Sequence, residues 1–130
     1  MKSTLEQHLQ AIQVALSIAD WLNIEEHVDY DVDYALGVPF VDGWIQFIDQ
    51  SCLEFTQSIT PERCRYRFQY MDAEGHLIFR YDNAPHHREI TTFPHHKHVG
   101  TRVYESPAIT LRQVVEEIVE QIINQYEQID

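Results

Sequence analysis

Five histidines fall within thirteen residues: His86, His87, His95, His96 and His98, in the stretch DNAPHHREITTFPHHKH that begins at Asp82. The stretch holds two Pro-His-His copies, at Pro85 and Pro94. Histidine titrates near neutral pH, ligates metals and shuttles protons. Three roles are therefore open: a metal site, an acid–base site, or a polar loop whose histidines fill hydrogen-bond positions. A metal site needs three or four ligands at fixed geometry. His86, His87, His95, His96, His98, Asp82 and Glu89 supply enough ligand atoms, but no familiar spacing such as HExxH appears. His96 and His98 can ligate together from an extended segment, where adjacent side chains point apart.

An acid–base site needs one neutral and one protonated imidazole, with cations for developing phosphate charge. His86 and His95 head the two copies, Arg80, Arg88 and Lys97 are the cations, and Asp82 can orient a histidine. Cleavage of RNA by its own 2′-hydroxyl needs no metal and no protein nucleophile. Neither Cys52 nor Cys64 lies in the segment. The residue set therefore favours metal-independent acid–base chemistry, with metal binding or a non-catalytic partner site as the alternative. The candidate catalytic residues are Arg80, Asp82, Asn83, His86, His87, His95, His96, Lys97 and His98. Arg65, Arg67 and Arg88 are candidates for phosphate binding.

The charge distribution supports a local anion site. Net charge is −12 over 130 residues, which argues against a generic nucleic-acid binder. Residues 1–62 hold eleven acids and one base, and residues 103–130 hold six acids and one base. Residues 63–102 hold seven bases, four acids and six of the eight histidines. Charges beyond about 8–10 Å are largely screened, so this zone can contact phosphate on an acidic chain. No apolar run approaches the ~20 residues of a membrane span. The first residues carry no signal-peptide apolar block, so a cytoplasmic location is expected. Two cysteines are too few for a disulfide framework and are expected to be free.

A single α+β domain over residues 1–130 must position these groups. Ser3-Thr4-Leu5-Glu6 is a capping box, and Leu5, Leu9, Ile12, Leu16 and Ala19 follow at helical spacing to about residue 22. Val28, Tyr30, Val32 and Tyr34 alternate with Asp29, Asp31 and Asp33, which predicts a strand over 27–36 with one buried and one acidic face. Further strands are expected over 40–48, with Gly43 as a bulge, and over 52–58, 63–71 and 76–82. The histidine segment reads as a loop, with a short strand after it over 99–104. Thr110-Leu111-Arg112-Gln113 is a second capping box, opening an amphipathic helix to about 126. The expected architecture is an antiparallel sheet of about five strands flanked by N-terminal and C-terminal amphipathic helices. The acidic strand face and the helices are available to a protein partner or a homodimer.

Folding residues 63–82 around Asp72–Gly75 puts Phe68 opposite Phe79, Tyr66 opposite Tyr81 and Tyr70 opposite Leu77. The other face then sets Arg67 against Arg80 and Arg65 against Asp82. Matching to the previous strand puts Arg67 beside Glu54, Arg65 beside Thr56, Cys52 opposite Gln69 and Cys64 opposite Gln57. A one-residue slip would reverse the faces.

FRYDNAPHHREITTFPHHKHVG, residues 79–100, resembles the signature of the TumE family of prokaryotic toxins. Tyr70-Met71-Asp72, Gly75-His76-Leu77-Ile78 and the C-terminal helix also fit. The matching positions are Arg80 to His87, then Phe93 to His98 and Gly100, and Arg88 stands where proline is expected. The resemblance is specific from about 63 to 126. It implies the toxin of a type II toxin–antitoxin pair, cytoplasmic, bound by a cognate antitoxin, with no membrane partner. It does not supply the reaction; RNA as substrate comes from the histidine chemistry.

Overall fold

The computed structural model describes residues 4–35, 37–60 and 64–127. Helix α1 (Thr4–Ile18) leads through a 3-10 turn (Asp20–Leu22) into seven strands, and helix α2 (Leu111–Glu127) closes the chain. The strands are β1 (Asn23–Asp33), β2 (Val38–Phe47), β3 (Cys52–Ser58), β4 (Tyr66–Met71), β5 (Leu77–Asp82), β6 (His96–Val99) and β7 (Arg102–Glu105). They form one antiparallel sheet in the order of the chain. The expected α+β class and the two flanking helices are present. Among the described residues the sheet has seven strands rather than about five, because residues 96–105 form a hairpin around Gly100 where a loop and one strand were expected.

Both helices pack on one face of the sheet. Ile12, Ala15 and Leu16 of α1, with Ala19 just after it, join Val114, Val115, Ile118 and Ile122 of α2 in the core. The sheet adds Ile45, Phe47, Leu53, Phe68, Tyr70 and Phe79. Burying such side chains contributes roughly 1.5–3 kcal/mol each. The second capping box forms as read: the Gln113 side chain accepts from the Thr110 amide at 2.9 Å, and the Gln113 amide donates to Thr110 Oγ1 at 3.2 Å. Ser3 of the first capping box lies outside the described residues.

Three expectations need correction. β1 has no buried face: Val28 alone packs on the core, whereas Tyr30 is 50% and Val32 41% exposed. It is an edge strand whose far half lies open to solvent. Gly43 is not a bulge, since its pairing with Val28 and Phe55 is continuous. A Cβ there would stand 2.4 Å from the His27 carbonyl oxygen and 3.0 Å from Phe55 Cζ. Gly43→Ala is therefore expected to destabilise by about 1–3 kcal/mol, read as a lower urea midpoint.

The third correction is register. Arg67 pairs with Asp82, Phe68 with Tyr81, Gln69 with Arg80 and Tyr70 with Phe79. The pairs are shifted by two positions from the sequence reading, so the faces survive and the partners change. The turn causes half of the shift. The Asp72 carboxylate accepts from the amides of Glu74 and His76 at 3.0 and 2.9 Å. The Asp72 amide donates to the His76 carbonyl, so the hairpin loop is one residue longer than expected. An irregularity between Tyr70 and Met71 supplies the rest. β3 and β4 shift likewise, with Thr56 beside Arg67 and Glu54 beside Gln69. Both cysteines are free.

Burial pushes the phenols of Tyr66 and Tyr70 up to about 12. Unfolded phenols ionise near 10, so the folded state holds more protons between those values. Their contribution is whole below about pH 10 and is lost as the pH rises toward 12. Stability to urea is expected to fall above pH ~10, with a shallower fall in Tyr70→Phe.

Candidate functional site

The candidate site lies on the sheet face opposite the helices. In the β5–β6 ladder, Arg80 pairs with His98, Tyr81 with Lys97 and Asp82 with His96. Side chains alternate along a strand, so Arg80, Asp82, His96 and His98 share the outer face while Tyr81 and Lys97 face α2. The loop from Asn83 to His95 then carries His87 over this face. Its ring centroid lies 4.8 Å from that of His96 and 5.5 Å from that of His98, and His96 and His98 are 4.8 Å apart. All three contacts are edge to face.

Asp82 holds the cluster together. Its Oδ1 accepts from the Ala84 amide at 3.0 Å and meets His96 Nε2 at 2.9 Å. Its Oδ2 accepts from Arg80 Nε at 3.1 Å and lies 3.4 Å from His98 Nε2. His96 is 2% exposed, and its Nδ1 donates to the Pro94 carbonyl at 2.9 Å. Arg80 Nη2 lies 3.2 Å from His98 Nε2. A guanidinium only donates, so it meets the lone pair of a neutral ring. Burial, followed by the Arg80 charge, holds His98 below its usual value of 6.5. His87 is half-buried, with Nδ1 3.4 Å from Glu89 Oε1. An open depression of about 290 Å³ is lined by Arg67, Arg80, His86, His87, His96 and His98, together with Asp82 and Ala84.

The remaining candidates fall elsewhere. His95 turns away, with Nδ1 2.7 Å from the Tyr66 hydroxyl and its ring stacked on Tyr66. Lys97 lies on the helix side, 3.2 Å from Glu117 and over the rings of Phe79 and Tyr81. Asn83 is buried: its amide nitrogen donates to the Cys64 carbonyl at 2.6 Å and its oxygen accepts from the Tyr66 amide at 3.0 Å. It fastens the start of β4 to the end of β5. Arg88 lies over Phe93 at 5.6 Å and does not line the depression. Arg65 lines a neighbouring groove of about 500 Å³ that shares Arg67 and Ala84 with the depression.

Two supports of the cluster escaped the sequence reading: the Pro94 carbonyl behind His96 and the Ala84 amide on Asp82. Backbone groups carry no sequence signal. The separation of Lys97 from its neighbours was available from the alternation of a strand.

The family model described as "TumE: Toxin TumE" matches residues 16–126. The match extends the resemblance back from about residue 63 into α1. Comparison with curated proteins and with solved structures finds no match. Among the described residues, no helix is long and apolar enough to cross a membrane.

Proposed function

The chain belongs to the TumE toxin family, and from that premise we propose that it arrests growth by cleaving RNA at the outer-face histidine cluster. The observation that carries this reading is the convergence of His86, His87, His96 and His98 with Arg67 and Arg80 around one open depression. His87 is the general base. Glu89 beside Nδ1 favours a proton there and leaves the Nε2 lone pair to take the proton of a ribose 2′-hydroxyl. The 2′-oxygen attacks phosphorus, a 2′,3′-cyclic phosphate forms, and the bond to the 5′-oxygen breaks. His86, exposed at the rim, donates the proton to that leaving oxygen.

Arg80 and Arg67 take the charge on the non-bridging oxygens. Asp82 acts through Arg80 and His98 and is a positioning residue. The groove beside Arg65 and Arg67 supports a path for the flanking phosphate. Lys97 and Asn83 serve the fold, the first against α2 and the second at β4. The chemistry needs no metal, and the toxin acts in the cytoplasm.

Toxin family membership implies an antitoxin partner. The exposed β1 edge, bearing Asp29 and Asp31, offers a basic antitoxin segment an acidic strand to pair with. The test is induction in cells with and without the antitoxin. Wild type arrests growth alone, and His86→Ala and His87→Ala relieve the arrest with the fold intact. His95→Ala still arrests. Arrest that survives both His86→Ala and His87→Ala would instead favour a non-catalytic binding toxin.

A further inference from the structure

We propose that His87, His96 and His98 form a site for one divalent transition-metal ion, with Asp82 as the fourth donor. The bound ion switches off the acid–base chemistry; this second half rests on the RNA-cleaving reading, and the site itself does not. One ring nitrogen from each of the three histidines lies within 4.8 Å of the other two. Tetrahedral zinc holds its nitrogens at roughly 2.0–2.1 Å, which sets neighbouring donors about 3.3 Å apart. The Asp82 carboxylate flanks the site near that spacing through two different oxygens, Oδ1 at 2.9 Å from His96 Nε2 and Oδ2 at 3.4 Å from His98 Nε2, so one of them turns inward to become the fourth donor. The three rings must draw together to reach that spacing, and His87 stands on the loop rather than on a strand, where it can move.

The outer contacts fit the same arrangement. A metal-bound histidine usually donates its other N–H to a carbonyl or a carboxylate. Nδ1 of His96 faces the Pro94 carbonyl at 2.9 Å, and Nδ1 of His87 faces Glu89 at 3.4 Å. Both rings thereby present Nε2 as the ligand atom. Three imidazoles and one carboxylate suit zinc or nickel rather than magnesium or calcium. Arg80 opposes the ion, because its Nη2 lies 3.2 Å from His98 Nε2 and must swing aside. The competition has a direct consequence: Nε2 of His87 cannot hold a metal and accept a substrate proton together.

The test is calorimetric titration of zinc into the full chain after chelator treatment, with each variant's fold checked by circular dichroism. One zinc per chain is expected. His87→Ala and His98→Ala weaken binding about tenfold or more, Arg80→Gln strengthens it, and His86→Ala leaves it unchanged. Absence of saturable binding to wild type, or an affinity indifferent to both His87→Ala and His98→Ala, overturns the site. One equivalent of zinc is expected to suppress RNA cleavage and a chelator to restore it; cleavage unaffected by bound zinc overturns the switch. If zinc titrates at one per chain and the apo protein cleaves no RNA, the site stands and the RNA-cleaving reading fails.

Discussion

Replacing His87 by alanine is expected to lower RNA cleavage about 10²–10⁴-fold, the usual worth of a positioned general base. His87 is the half-buried ring of the cluster, carried on the loop that folds over the depression. Arg80 and Arg67 remain in the variant, so the loss should fall on kcat while KM for RNA changes little. Glu89→Ala is expected to cost less, because it removes only the group that orients Nδ1. His95→Ala is the matched contrast. That ring is bound to Tyr66 away from the depression, so its loss should leave kcat close to wild type. Equal losses in His87→Ala and His95→Ala would contradict the assignment of the base.

The second large effect concerns stability. Asp82→Ala is expected to destabilise the fold by about 2–4 kcal/mol, because a buried carboxylate is lost to a half-buried guanidinium and to a buried imidazole. The carboxylate is 6% exposed and meets Arg80, His96, His98 and the Ala84 amide. Its removal leaves the Arg80 guanidinium without its carboxylate and buried His96 without a polar partner at Nε2. Urea unfolding reads this as a lower midpoint. His98→Ala, whose ring also reaches Arg80, should lose less because the carboxylate still holds the guanidinium. Asp82→Ala with unchanged stability would remove Asp82 from the centre of the site.

The contrast between Asp82 and Arg67 shows what was legible in the sequence. The alternation of Arg67, Gln69 and Arg80 with Phe68, Tyr70, Phe79 and Tyr81 assigned both sheet faces correctly. A face depends only on a period of two, so a shift of two residues leaves it intact. The partners did change: Arg67 meets Asp82 instead of Arg80, and the like-charge pair expected from sequence disappears. That shift arises from the Asp72 turn and the irregularity at Tyr70–Met71, which are backbone details. The histidine segment reads from sequence as the candidate site, with His86 and His95 as equivalents because each heads a Pro-His-His copy. The fold breaks that equivalence. The second copy runs into β6 and sends His96 and His98 outward, whereas the first stays in the loop. Proximity of His87 to β6 depends on how the 83–95 loop folds back over the sheet, which no spacing encodes.

The central claim is most directly tested with purified protein and a short labelled RNA in the presence of chelator, with the product ends identified. Cleavage to a 2′,3′-cyclic phosphate and a 5′-hydroxyl is predicted, with loss of cleavage in His87→Ala and in an RNA whose reacting 2′-hydroxyl is replaced by hydrogen. Intact RNA from a preparation that arrests growth in cells, or cleavage that persists without the 2′-hydroxyl, would contradict it.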